Sequence, residues 1–311
     1  RAVLGVLARP AKRLRPLLAI LGSLAKCGRV DRAVTQGAAA VEALHLATLL
    51  HDDVMDEAPV RSGRPTPNVT LGEHGAVLLG DFFFARALAG AERLGRPFLR
   101  RFLATAEALV AGEYGQGAAA GILPDIEHYL AWIERKTARL FALAASPGRA
   151  AEPVLERYGR AFGLAYQLRD DLQDLLANEA ALGKPAMNDC RRGLYTYPVI
   201  VACARDPRCL AILRDARPDE EDWRAELRAI LERTGALAAA NEARRQWIAQ
   251  ALASLADLPP GPARTALAEL AEWAAPASAR LPADVAVCGT PHSVDKPWNG
   301  RYNKQGDGGC R

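Results

Sequence analysis

Apolar residues recur at three- and four-residue spacing along almost the whole chain of 311 residues. This spacing puts apolar side chains on one face of a helix, whereas a half-buried strand alternates apolar and polar residues. No convincing alternating run of β-branched residues occurs. The pattern therefore predicts an all-α fold. The predicted helices are 14–27, 32–57, 75–93, 98–121, 125–146, 150–178, 190–204, 220–234, 236–256 and 262–274.

Residues 1–284 are predicted to form one helical domain, and residues 285–311 differ from it in composition. This last segment is rich in Gly, Asn, Lys and Asp and has no periodicity, which is typical of a disordered tail. The chain begins with arginine instead of methionine, so we expect a trimmed N-terminus.

Charge and hydropathy exclude two classes of protein. The net charge is only +4, and no run of five or more basic residues occurs, which argues against a nucleic-acid-binding protein. No stretch of about 18 or more apolar residues lacks a charge, so we expect no membrane span. No signal peptide opens the chain, and we therefore expect a cytoplasmic protein.

Two aspartate clusters share the spacing D-D-x-x-D, and each follows an apolar run. They are Asp52, Asp53 and Asp56 in HDDVMDE, and Asp170, Asp171 and Asp174 in RDDLQDL. Residues four apart lie on one face of a helix, so each cluster brings at least two carboxylates together. Such carboxylates repel each other and are costly to bury. Mg²⁺ relieves both problems, because it takes few protein oxygens plus phosphate and water. The sequence predicts a metal-bridged diphosphate site between two helices.

Basic residues near these clusters have the chemistry that a diphosphate needs. Arginine gives forked hydrogen bonds to phosphate oxygens, and lysine acts as a point charge. The candidates are Lys12, Arg13 and Arg15 in AKRLRPLL, Arg61 and Arg64 after the first cluster, Lys136 in ERKTARLFALA, and Lys184 after the second cluster.

Longer motifs make the chain resemble the trans-isoprenyl (polyprenyl) diphosphate synthases, and among them the long-chain members. The motifs are KRLRPLL, EALHLATLLHDDVMDEAPVRSGRPTPN, LLGDFFFARAL, GEYGQ, IERKTARLFALAA, FGLAYQLRDDLQDL and GKPAMNDCRRGLYTYP. They span about residues 10–205, and weaker similarity extends to about 275. The resemblance implies an isoprenoid-synthase-type helical bundle around a deep central cavity, and a homodimer.

The resemblance also implies a role for individual residues. Asp52, Asp56, Asp170 and Asp174 would hold three Mg²⁺ ions with diphosphate, and Asp53 and Asp171 would support them. Arg61, Lys136 and Lys184 would grip the allylic diphosphate, and Lys12, Arg15 and His45 would hold isopentenyl diphosphate. Gln167 and Thr137 would lie near the reacting carbons. The implied catalytic set is Asp52, Asp53, Asp56, Lys136, Gln167, Asp170 and Lys184.

The implied reaction is head-to-tail condensation of isopentenyl diphosphate onto an allylic diphosphate, such as farnesyl or geranylgeranyl diphosphate. Leu44, Ala47 and Thr48 lie one to two turns before Asp52 and are expected to set the product length. Short-chain members of the family carry an aromatic residue there, so Ala47 and Thr48 predict a long trans-polyprenyl product. The alternative floor is Phe83, Phe84 or Leu88.

Some positions depart from the family pattern. Ser62 stands where a second arginine usually follows the first cluster, and Met187, Cys190 and Leu194 replace Gly, Leu and Lys after the second. Two other functions therefore stay open. One is a terpene cyclase or a prenyltransferase with another acceptor, and the other is a non-catalytic subunit of a heteromeric synthase.

Overall fold

The computed structural model of the protein describes residues 2–176, 187–215 and 222–274. The helices of this part are α1 (Ala2–Leu7), α2 (Leu14–Cys27), α3 (Arg32–Met55), α4 (Pro67–Glu92), α5 (Arg96–Ala118), α6 (Ile126–Ile133), α7 (Arg139–Ala145), α8 (Pro153–Leu176), α9 (Asn188–Arg191), α10 (Tyr197–Arg205), α11 (Arg208–Asp215), α12 (Asp222–Arg233), α13 (Ala236–Ser254) and α14 (Pro262–Trp273). A π turn (Glu134–Ala138) joins α6 to α7, and a 3₁₀ turn (Leu255–Asp257) follows α13. Strands β1 (Val60–Arg61) and β2 (Arg64–Pro65) form a small antiparallel hairpin.

The predicted all-α fold is confirmed, with differences at particular elements. Helix α4 begins at Pro67, earlier than predicted, and contains a kink at Gly72, where φ is +75°. The predicted helix 190–204 is wrong, because the chain turns at Gly193 (φ +71°) and a new helix begins at Tyr197. Helices α1 and α11 and the β1–β2 hairpin were not predicted. The predicted tail, residues 285–311, lies outside the described residues.

Helix α8 has apolar neighbours on two sides. On one side Phe162 packs with Phe141 of α7 and with residues of α13 and α14. On the other side Leu168 packs with Tyr129 of α6 and Val199 of α10. Full burial of each such side chain contributes about 1.5–3 kcal/mol. The second aspartate cluster lies at the C-terminal end of this well-anchored helix.

Helix α3 carries the first aspartate cluster and packs along α4. Its residue Leu44 joins a separate core with Phe98 and Phe102 of α5. Within the described residues, α3 is also the one helix long and apolar enough to cross a membrane by length and composition, although half of the relevant window is buried inside the protein. Core helices of globular proteins often pass this test.

The π turn interrupts the predicted helix 125–146 and lies tightly between α5 and α8. A Cβ atom on Gly112 of α5 would come within 2.8 Å of the Lys136 backbone nitrogen. A Cβ atom on Gly163 of α8 would come within 2.6 Å of the Ala138 Cα atom. These two glycines therefore allow both helices to approach the turn. Single π turns inside helices are frequent at functional sites.

Candidate active site

The first cluster lies where α3 ends, and a turn folds a cation back onto it. Asp53 is 2 % exposed, and its Oδ1 atom accepts a hydrogen bond from Arg61 Nε at 2.5 Å. Arg61 is held there by the β1–β2 hairpin, whose turn residues Ser62 and Gly63 have φ values of +52° and +73°. Positive φ at both central residues suits a tight hairpin. Ser62, which departs from the family pattern, thus occupies a turn position.

Asp52 lies among charged groups that shift its pKa. Burial raises its pKa to about 7, Glu113 and Asp56 contribute in the same direction, and Lys136 and Arg61 oppose them. The Lys136 ammonium lies 2.6 Å from Glu113 Oε2. Burial lowers the pKa of Lys136, but Glu113, Asp52 and Asp189 outweigh this and leave it raised. Lys136 is therefore a charged group among three carboxylates.

The second cluster is more deeply buried and rests on neutral hydrogen-bond donors. Asp171 is 2 % exposed and accepts hydrogen bonds from the Tyr129 hydroxyl and, at 2.9 Å, from Gln167 Nε2. Thr137 Oγ1 in turn donates to Gln167 Oε1 at 2.8 Å. Burial and Asp189 raise the pKa of Asp171 to about 8, against these hydrogen bonds. The predicted residues Gln167 and Thr137 thus belong to one network with Asp171.

Tyr129 was not predicted as a member of this network. Tyr129 is fully buried on α6, seven residues before Lys136. Burial and Asp171 raise its pKa well above the ordinary value, so the hydroxyl stays protonated and can donate. A polar aromatic residue two helical turns before Lys136 was the available signal.

The segment after the second cluster connects it to the first cluster. The Asp189 backbone nitrogen donates to Asp174 Oδ2 at 3.2 Å, and the Met187 nitrogen donates to the Asp174 carbonyl at 2.9 Å. Three residues beyond Asp189, Arg192 Nη2 lies 2.5 Å from Asp56 Oδ1. The two clusters are therefore brought together through this short segment. Arg192 was not predicted as a site residue.

A second cationic group lies at the start of α2. Arg15 is near Asp170 of α8 and Glu42 of α3, and its guanidinium carbon lies 4.4 Å from the Phe141 ring centre. Burial, followed by Arg15, Arg61 and Arg13, lowers the pKa of His45 well below its usual value, so His45 is neutral. Cations held this close to one another are suited to bind an anion.

Lys12 belongs to the same end of the molecule and lies against aromatic rings. Its ammonium is 5.5 Å from the Tyr166 ring centre and 5.2 Å from that of Trp273. The Arg169 guanidinium lies 4.0 Å from the same Trp273 ring. Burial lowers the pKa of Lys12, and Asp170 opposes this. Trp273 is a further residue that the sequence analysis did not identify.

The three predicted chain-length residues face different neighbours. Leu44 packs in the core that contains Phe98 and Phe102, whereas Ala47 packs in the cluster that contains Phe83 of α4. The Thr48 hydroxyl donates to the His45 carbonyl at 2.8 Å. Of the alternative floor residues, Phe83 therefore lies in the same cluster as Ala47.

Lys184 lies outside the described residues. Within the residues that the structure describes, no group of three or more His, Cys, Asp and Glu side chains forms a cage for a metal ion. The carboxylates at Asp52 and Asp56 nevertheless fit Mg²⁺, because their mutual repulsion calls for a cation, and Mg²⁺ completes its shell with phosphate and water.

Comparison with known proteins decides the family. The family model described as polyprenyl synthetase matches residues 1–233. The chain belongs to this family. It is therefore a prenyltransferase that produces polyprenyl diphosphates.

Individual relatives agree with this family membership. A nonaprenyl diphosphate synthase of Mycobacterium tuberculosis is 35% identical over 274 residues, which cover 84% of this chain and 82% of the relative. The crystal structure of a heptaprenyl diphosphate synthase from Staphylococcus aureus has a TM-score of 0.80 and 27% identity, and covers 88% of this chain and 89% of its own.

A polyprenyl synthase from Caulobacter crescentus CB15, crystallised with calcium and isoprenyl diphosphate, has a TM-score of 0.79 and 35% identity. The match covers 86% of this chain and 85% of that structure. The predicted isoprenoid-synthase-type helical bundle is thereby confirmed.

Proposed function

We propose that this polyprenyl synthase extends farnesyl or geranylgeranyl diphosphate with isopentenyl diphosphate units to a long trans-polyprenyl diphosphate. The proposal is supported by two groups of cationic side chains. One lies beside the first aspartate cluster and contains Arg61 and Lys136, and the other lies at the start of α2 and contains Lys12 and Arg15, near the neutral His45. A reaction between two diphosphates requires two such groups.

In the proposed complex, Asp52, Asp56, Asp170 and Asp174 hold Mg²⁺, as three ions with diphosphate. Bound Mg²⁺ would neutralise charge on the departing diphosphate. Arg61 and Lys136, with Lys184, bind phosphate oxygens of the allylic substrate. Asp53 positions the Arg61 side chain through the 2.5 Å hydrogen bond.

Isopentenyl diphosphate is assigned to Lys12, Arg15 and His45. Neutral His45 can donate one hydrogen bond to a phosphate oxygen without adding to the repulsion among the neighbouring arginines. The Gln167 amide, fixed by Thr137 and Asp171, lies close to the second cluster and can face the developing allylic cation. The released diphosphate is the proposed acceptor of the proton lost after bond formation.

The test is an incubation of the purified chain with farnesyl diphosphate, labelled isopentenyl diphosphate and Mg²⁺. Label in a series of longer diphosphates supports the proposal, and an excess of EDTA should abolish it. Cyclic hydrocarbon without incorporated label would instead identify a cyclase. No product until a second protein is added would identify a subunit of a heteromeric synthase.

Product length is proposed to depend on Ala47 and its neighbours Leu44 and Thr48. Ala47→Phe should shorten the product, because an aromatic ring would fill the space along α3. Ala47 is 2 % exposed and shares a cluster with Phe83, so overpacking costs about 1–3 kcal/mol. The double variant Ala47→Phe/Phe83→Ala restores the packed volume and serves as the matched control. An unchanged product ladder in both variants would show that α3 does not set the length.

A homodimer is also proposed, on the evidence of an apolar surface of α4 and α5. These two adjacent helices expose large apolar side chains, with Leu78 at 68 % and Val110 at 70 % exposure. Further exposed members are Phe82, Leu103 and Tyr114. Large apolar side chains exposed together on neighbouring helices are typical of a protein interface. Light scattering should give twice the chain mass, and Val110→Glu should reduce the measured mass to that of one chain.

The cytoplasmic location stays a prediction.

A further inference from the structure

Arg192 crosses between the two aspartate clusters. It follows α9 directly, and its Nη2 atom lies 2.5 Å from Asp56 Oδ1 at the end of α3. Three residues earlier, the Asp189 backbone nitrogen is hydrogen-bonded to Asp174 of the second cluster. The guanidinium is therefore attached to one cluster through the backbone and to the other through its side chain.

The Arg192 guanidinium can donate hydrogen bonds to a second partner. Its side chain is 36 % exposed, and that of Asp56 is 27 % exposed, so the pair is open to a ligand. A guanidinium has five N–H donors, and Asp56 Oδ1 uses only part of this capacity. Planar, forked donors of this kind match the oxygens of a phosphate group.

Neither Leu194 nor Arg191 places a cation beside an aspartate cluster. Leu194 is 9 % exposed and carries no charge, although a lysine is common at this position in the family. Arg191 instead lines a cleft of about 300 Å³ with Tyr195, Leu213 and Trp223. Arg192 is therefore the cation of Arg191–Leu194 that contacts an aspartate cluster.

We propose that Arg192 is a binding residue for the diphosphate of the allylic substrate in this chain. In the metal-free protein it balances the charge of Asp56, and on binding of Mg²⁺ and substrate it exchanges this carboxylate for a phosphate oxygen. It thus supplies the positive charge that Leu194 lacks. This inference rests on the proposed function, which places the diphosphate between the clusters.

Arg192→Gln tests the proposal against the matched control Arg191→Gln. Loss of a hydrogen bond to a charged group lowers affinity roughly 10- to 100-fold. In Arg192→Gln, KM for the allylic diphosphate should rise by about this factor, whereas KM for isopentenyl diphosphate should change little. Arg192→Lys should recover part of the loss because it keeps the charge, and Arg191→Gln should behave as wild type.

Calorimetric titration with inorganic diphosphate and Mg²⁺ gives a readout that does not depend on turnover. Arg192→Gln should weaken this binding, and Arg191→Gln should not. If Arg192 were only a latch that competes with the metal for Asp56, Arg192→Gln would bind Mg²⁺ and diphosphate more tightly, and the proposal would be overturned. Unchanged binding in Arg192→Gln would overturn it as well.

The titration also separates this proposal from the proposed function. If the wild-type chain binds diphosphate through Arg192 but elongates no allylic substrate, the polyprenyl synthesis assigned above fails and the Arg192 site stands. If the wild-type chain elongates the substrate and Arg192→Gln matches it in KM and binding, only the Arg192 assignment fails.

Discussion

The two aspartate clusters have the same spacing but balance their negative charge differently. At the first cluster the partners are cations, since Arg61 contacts Asp53 and Arg192 contacts Asp56. At the second cluster the described partners of Asp171 are the neutral donors Tyr129 and Gln167. Asp53 and Asp56 of the first motif are thus held by ion pairs, whereas Asp171 of the second motif is held by buried hydrogen bonds.

This difference in partners distinguishes a carboxylate that can rearrange from one that is held in place. The Arg192 and Asp56 side chains are both about one-third exposed, so their ion pair contributes little to stability and can be exchanged for a ligand. Asp171 and Tyr129 are buried, and loss of either partner would leave an unsatisfied polar group. We infer that Asp171 of the second cluster is preorganised and that Asp56 of the first cluster rearranges around the substrate.

The largest expected effect comes from removing one carboxylate of each cluster. Asp52→Asn and Asp170→Asn should each lower kcat by about 10²–10³, because each removes charge that stabilises the metal-diphosphate site. Asp81→Asn, at a carboxylate 61 % exposed on α4, is the control and should be active. Steady-state rates at saturating substrate measure the effect. If only one of the two variants lost activity, the clusters would not share one metal site.

A smaller effect should distinguish the supports of the two clusters. Tyr129→Phe should lower the free energy of unfolding by about 1–3 kcal/mol, because Asp171 loses a buried donor. Arg192→Gln breaks an ion pair in which both side chains are partly exposed, and it should cost at most about 1 kcal/mol. Urea unfolding of the metal-free proteins compares the two variants. A greater loss of stability in Arg192→Gln would contradict the inference that Asp171 is the preorganised carboxylate and Asp56 the one that rearranges.

The smallest effect concerns the pH dependence of stability near the first cluster. The pKa of His45 is lowered in the folded protein by burial and by Arg15, Arg61 and Arg13. Below the ordinary value of 6.5, the unfolded chain therefore binds more protons at this position than the folded one. His45 should cost no stability above pH 6.5 and should reduce stability as the pH falls below that value.

His45→Gln isolates this contribution. The melting temperature of the metal-free wild type should fall more than that of His45→Gln between about pH 7 and about pH 5. Equal decreases in the two proteins would mean that the pKa of His45 is not lowered in the folded protein.

Much of this architecture could be predicted from sequence because it depends on local periodicity. Helix α2 has the predicted bounds, and both aspartate clusters lie at helix ends beside apolar cores. Arg192 and Trp273 could not be found in this way, since each acts on residues far away in the chain. The π turn was also missed, because one additional residue in a helical turn barely changes the apolar pattern.

The π turn has a consequence for how Lys136 and its surroundings are oriented. An α-helix advances by about 100° per residue, so the wider turn at Glu134–Ala138 offsets the face of α7 from that of α6. Tyr129 on α6 thereby reaches Asp171 while Phe141 on α7 packs against Phe162, nine residues earlier on the same helix α8. The extra residue of the π turn thus sets how one continuous segment contacts two levels of α8.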